Sequence, residues 1–237
     1  MDFRPEHRQQ PKGLFRHDVD VPAEPEARRL DAGHEGEGAA AGAADDAVRA
    51  RRAAILRAAA AIMVRTGYHE MSMQAVAEAA GMSVGLIYQY FGNKQDVLRA
   101  VIVDILEEFR DEVPAAMLSA GDDPYAQLAQ GFSRFCRVID AKRDAVLLAY
   151  RESQTLDAAG REEIMRLERE TIDPFRAAVQ AGIDVGAFRP VPADLVAHNL
   201  KLAAHGWALK HWDLAPTRSL EEYVREQLDL LLAALAL

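Results

Sequence analysis

Between residues 72 and 90 the sequence prescribes a short helix, a tight turn and a second short helix, and few folds accommodate that arrangement. Ser72 can cap the first of these helices, whose inner side is Val76, Ala77 and Ala80, and Gly81 can end it in a turn conformation that a Cβ would resist. Ala77 is small enough for the two helices to cross closely. Ser83 caps the second helix, Val84 to Tyr90, and Gly92-Asn93 breaks it. On that second helix Leu86 and Ile87, followed by Phe91, are expected to face inward. The opposite face carries Ser83, Val84, Gly85, Tyr88, Gln89 and Tyr90. A helix presented this way suits the DNA major groove, where glutamine can read adenine and tyrosine hydroxyls can bond phosphates.

The surrounding chain is helical in period throughout. Asp45 or Asp46 can cap a helix on which Val48, Ile55, Ala59, Ile62 and Met63 recur at helical spacing, and Gly67 ends it. From Lys94 a long amphipathic helix carries Val97, Leu98, Val101, Ile105 and Phe109 on one stripe. Beyond Pro114 five further helices are expected near 123–140, 143–157, 159–184, 192–213 and 218–236, with Pro174 kinking the longest. Nothing reads as a strand. The expected fold is all-α, with a three-helix helix-turn-helix domain at 46–99 and a larger helical domain at 100–237. Residues 1–45, with four prolines and an Ala/Gly/Glu-rich stretch, read as a disordered N-terminal extension.

Charge separates these parts. The chain carries a net −9, yet residues 46–99 hold 7 basic against 4 acidic side chains. The one basic segment is thus the one with the groove-sized helix. The single cysteine, Cys136, excludes an intrachain disulfide and a thiolate metal cluster, and its neighbours Phe132, Phe135 and Ile139 mark it as core. No apolar run approaches the roughly 18 residues of a membrane span, and no signal pattern opens the chain, so a cytoplasmic protein without a membrane partner is expected.

The string ILRAAAAIMVRTGYHEMSMQAVAEAAGMSVGLIYQYFGNKQDVL, Ile55 to Leu98, closely resembles the N-terminal domain of the TetR (tetracycline-repressor) family. Gly67-Tyr68, Ser72-Met73, Val76-Ala77, Ala80-Gly81-Met82-Ser83, Ile87-Tyr88, Tyr90-Phe91 and Asn93-Lys94 carry the likeness. The resemblance implies a subunit of about nine helices that dimerises through its last two and binds a palindromic double-stranded DNA operator as a repressor. It implies that Ser72 and Gln74 lie near backbone phosphate, that Ser83, Val84, Gly85 and Gln89 approach bases or sugar-phosphate, and that Tyr88, Tyr90 and Lys94 clamp phosphates. Val84 departs from a family position often held by lysine, arginine or a small polar residue. A valine cannot pair with phosphate, though it can meet a thymine methyl. That departure and the acidic total leave open an alternative, a helical small-molecule-binding or chaperone-like protein whose helix-turn-helix no longer binds DNA.

For the homodimer interface the apolar face of 218–236 offers Leu220, Val224, Leu228, Leu231 and Leu235, and the preceding helix Leu202 and Gly206. Phe109, Phe132, Phe135, Tyr150 and Met165 are the candidate lining of an effector pocket, although plain core explains them equally. The stretches Tyr150 to Leu156, GAFRP and HGWALKHWDL look similar to regulators of lipid or acyl-CoA catabolism, which implies a small hydrophobic acyl or aromatic effector. His198, His205 and His211 stand too far apart along a helix to chelate one ion, since seven residues rise roughly 10.5 Å. They read as core or pocket histidines, and neither a metal nor another cofactor is expected. No catalytic constellation is present, and an enzyme is not expected.

Overall fold

The computed structural model describes residues 34–237, with side chains from Asp45 onward. Asp45–Leu237 forms one compact unit. The described residues are helical, without strands. The elements are α1 (His34–Thr66), α2 (Met73–Ala80), α3 (Val84–Tyr90), α4 (Lys94–Leu118), α5 (Pro124–Ala141), α6 (Arg143–Glu152), a 3-10 turn (Ser153–Thr155), α7 (Ala158–Glu170), α8 (Asp173–Asp184), α9 (Ala193–Leu209), the single turn α10 (His211–Leu214) and α11 (Leu220–Ala233).

The local rules account for most boundaries. The Ser72 side chain accepts from the Ala75 N–H at 3.1 Å and that of Ser83 from the Leu86 N–H at 3.2 Å, so both short helices start at a hydroxyl cap. Gly81 takes the left-handed conformation, φ 66°, and the Met82 N–H returns to the Ala77 carbonyl at 2.9 Å. Asn93 caps α4 by accepting from the Gln95 and Asp96 N–H groups at 2.8 and 3.0 Å.

Four boundaries differ from the sequence expectation. α1 begins at His34, well before the Asp45/Asp46 cap. The alanines of 39–44 favour helix strongly enough to continue it backwards. The rest of the expected disordered extension, 1–33, lies outside the described residues. α4 runs through Pro114 to Leu118, held by Val113 and Met117 in the core. The segment 159–184 is two helices, not one kinked helix. The chain breaks at Thr171-Ile172 and Pro174 sits in the first turn of α8, where its missing N–H costs no hydrogen bond. The final boundary sets off α10 after α9. The last two differences bring the helix count among the described residues to eleven where about nine were expected.

α5 lies at the centre of the larger domain and packs against α4, α8, α9 and α11. Phe132, Phe135, Cys136 and Ile139 on its inner face are fully buried. Phe135 stacks on Phe109 of α4 with ring centroids 4.1 Å apart and meets Phe175 of α8 edge-on. Gly182 is required by packing: a Cβ there would stand 2.2 Å from the Phe188 ring.

Candidate DNA-reading helix and effector pocket

α3 is anchored by little. Ile87 is its one buried residue, at 0% exposure, and Phe91 just beyond it is also buried. Leu86 is only half-buried, so the inward side is narrower than the sequence suggested. Ser83, Gly85, Tyr88 and Gln89 are exposed, with Tyr88 at 52%. A Cβ on Gly85 would meet nothing within 4 Å, so its missing side chain leaves a flat spot on the outer surface without serving packing inside the chain. Val84 and Tyr90 are half-buried and lean on the core, which places them at the edges of this face. Ser72 and Gln74 are exposed at the start of α2.

Lys94 is already engaged within the head. Its ammonium donates to the His69 carbonyl at 2.9 Å and lies 4.9 Å from the centre of the Tyr68 ring, which ties the α1–α2 loop to α4. Two of its three N–H groups remain for another acceptor.

α4 connects this head to a cavity. Its Asp104 meets Arg52 of α1 at 3.4 Å and Lys142, at the α5–α6 junction, at 2.7 Å. Glu108 pairs with the same lysine. Burial works against the charge on Lys142, but the two carboxylates more than offset it and its pKa is raised. On the same turns of α4, Ile105, Leu106 and Phe109 form one wall of a cavity of about 550 Å³ bounded by α4, α6, α7 and α9. Tyr150 and Met165 also line it. Phe132 and Phe135 do not. They are sealed in the core behind it, where an apolar aromatic face has the same sequence signature as a pocket wall.

The cavity also holds polar groups, of which Tyr150 and, as a core or pocket histidine, His205 were expected from the sequence, while Lys201 and Glu168 were missed. Lys201, 6% exposed, donates to the Glu168 carboxylate at 2.7 Å and to the Thr171 hydroxyl at 3.4 Å. His205 is buried one turn along α9, and its Nδ1 meets the Tyr150 hydroxyl at 2.7 Å. Burial and the nearby Lys201 push the His205 pKa down to about 3, so the ring is neutral. Arg161, which also donates to the Leu156 carbonyl, and Arg169 line the cavity from α7. The signal for Lys201 lay in its register: it falls on the stripe of Ala197, Leu200 and Ala204, where a lysine must be paired. His198 is exposed and His211 contacts Arg143, so the three histidines do not converge.

The expected dimer residues divide. Val224 and Leu235 are buried within the subunit, and Gly206 faces Tyr223 of α11, whose hydroxyl stands 3.0 Å from where a Cβ would be. Leu220, Leu228 and Leu231 are half-buried against the core. Leu202 is exposed and borders the cavity. Trp212 and Leu230, neither singled out in the sequence, are exposed at 74% and 70%.

A three-helix head with a capped, outward-facing second motif helix is joined by one long helix to a helical domain with a cavity, the layout of a helix-turn-helix regulator. Residues 55–101 match the model of bacterial regulatory proteins of the tetR family, and residues 121–235 that of the tetracyclin repressor-like C-terminal domain. The chain is 36% identical over 184 residues to the HTH-type transcriptional regulator HbdR of Aromatoleum sp. (strain CIB), covering 78% of this chain and 80% of that one. The HTH-type transcriptional repressor KstR2 of Rhodococcus jostii (strain RHA1) is 26% identical over 168 residues, covering 68% and 79%. Among solved structures, AibR in complex with isovaleryl coenzyme A and operator DNA shares the fold at TM-score 0.65 and 21% identity, covering 76% of this chain and 97% of AibR. The chain belongs to the TetR family of transcriptional regulators. No helix of the described residues is long and apolar enough to cross a membrane.

Proposed function

We propose that this regulator is a cytoplasmic repressor that binds a palindromic operator as a homodimer and leaves it when an acyl-coenzyme A or related hydrophobic effector enters the α4/α6/α7/α9 cavity. One observation carries the reading: the cavity wall and the link to the DNA-reading head are on the same helix, with Phe109 at one and Asp104 at the other. A ligand that moves α4 therefore changes the spacing of two heads, and only a difference in affinity between the two arrangements is needed. The mixed lining suits an acyl thioester, with apolar side chains for the acyl group and Arg161 and Arg169 for phosphates. The AibR complex offers a precedent for such an effector in this fold.

In this reading Ser83, Val84, Gly85, Tyr88 and Gln89 meet the groove, Ser72, Gln74, Tyr90 and Lys94 meet the backbone, and α9, α10 and α11 meet their copies through Leu202, Trp212 and Leu230. The test takes a sequence selected from a random DNA pool and measures its binding by fluorescence anisotropy, with and without a panel of acyl-coenzyme A esters. A palindromic site, steeply salt-dependent binding and release by at least one ester support it. Operator affinity unchanged by every ester removes the effector assignment, and monomer mass in sedimentation at micromolar concentration removes the dimer.

A further inference from the structure

The Tyr150–His205 pair gives the cavity a chemical preference that its apolar walls do not. The two side chains come from different helices, α6 and α9, and both border the cavity. A phenol is a better donor than acceptor, so the Tyr150 hydroxyl donates to Nδ1 and the ring proton stands on Nε2. Among the described residues Nε2 has no protein partner, and the residue borders the cavity. The ring is held by stacking on Phe135, with centroids 5.6 Å apart, and by Tyr150 edge-on at 5.5 Å. The result is a fixed donor with an unused N–H in an otherwise mostly apolar wall.

The neighbouring charge narrows what can accept from it. The Lys201 ammonium is taken up by the Glu168 carboxylate, the Glu168 carbonyl and Thr171. A ligand carboxylate placed against His205 would find a neutral ring and a cation already neutralised, with its own charge desolvated. A neutral carbonyl oxygen meets neither cost. Resting on the effector reading above, we propose that His205, positioned by Tyr150, donates a hydrogen bond to an uncharged carbonyl oxygen of the bound ligand and selects acyl thioesters over the free acids and over ligands lacking the carbonyl.

The experiment compares hexanoyl-coenzyme A, its thioether analogue S-hexyl-coenzyme A and hexanoate by titration calorimetry on the full chain, its His205→Phe and its Tyr150→Phe variants, each checked for helical content and melting. The wild-type protein binds the thioester roughly tenfold more tightly than the thioether, the size of one buried hydrogen bond. That ratio falls to about twofold or less in His205→Phe and is reduced in Tyr150→Phe, a change in selectivity that mere loosening of the fold does not produce. Equal wild-type affinity for thioester and thioether overturns this inference and leaves the cavity as the effector site. Tighter binding of hexanoate than of the thioester overturns it as well. Failure of both coenzyme A ligands to bind overturns it together with the acyl effector reading.

Discussion

Replacing Ile87 by alanine tests how α3 is held. Ile87 is the one buried side chain of that helix and is 0% exposed, so no solvent-facing rotamer offsets its loss. Three carbons leave the core, at about 0.8 kcal/mol each for transfer alone. The cavity left behind adds to this, because Ile87 belongs to a buried core, with α3 packed on α2, that collapses only in part. The expected loss is roughly 2–4 kcal/mol. For a unit the size of Asp45–Leu237 that lowers the melting midpoint by roughly 5–15 °C. Ile87→Val removes one carbon and costs about 1 kcal/mol. The assay is thermal and urea unfolding followed by circular dichroism, with protein concentration fixed because dimerisation would move the midpoint. The alanine variant also loses DNA affinity, since a helix released from its anchor is seldom in the binding-competent position. A loss below about 1 kcal/mol for the alanine variant, or no gradation from valine to alanine, refutes the packing argument.

Three further outcomes follow from the geometry. Gly182→Ala drives a Cβ into the Phe188 ring, itself buried at 1% exposure, and costs about 1–3 kcal/mol in the same unfolding assay. His205 has its pKa lowered by burial and Lys201, so the unfolded state binds the extra proton and stability rises with pH between about 3, its folded value, and the ordinary 6.5. Going from about pH 7 to about pH 5 therefore costs about 2 kcal/mol through this group. Its surroundings are Lys201 on α9, Tyr150 on α6 and Glu168 on α7, and urea unfolding of His205→Phe against wild type at the two pH values isolates the difference. Asp104→Asn weakens the link from α4 to Arg52 and Lys142. It is expected to reduce the effect of hexanoyl-coenzyme A on operator affinity several-fold while leaving the ligand's own affinity within about twofold, as anisotropy and calorimetry can separate.

The helix-turn-helix was legible because its determinants are local. Ser72, Gly81, Ser83 and Asn93 act on backbone groups one turn away, and the structure places each where that chemistry predicts. Leu86 was misjudged because two adjacent apolar residues on a helix point about 100° apart, and the core reaches only Ile87. Pro174 was read as a kink because sequence spacing does not show that the preceding helix has already ended at Glu170. The cavity was half-legible. Phe109, Tyr150 and Met165 line it, while Phe132 and Phe135 sit behind it. The pairing of Tyr150 with His205 was hidden, as were Lys201 and Glu168 altogether, because these groups meet only when three helices are brought together. The same applies to the C-terminal apolar face: Val224 on α11 and Leu235 just beyond it, expected at a dimer interface, are buried within the subunit.

The claim that everything else serves is that the exposed side of α3 enters a DNA groove. A Tyr88→Ala, Gln89→Ala double variant tests it most directly, because both side chains are exposed and neither is part of the core. Measured by anisotropy on the selected operator at one fixed salt concentration, the double variant should bind at least tenfold more weakly than wild type, at roughly 1–3 kcal/mol for a base contact. Its melting midpoint should not move. Operator affinity equal to that of the unaltered protein, at an equal melting midpoint, would contradict the assignment of α3 as the reading helix.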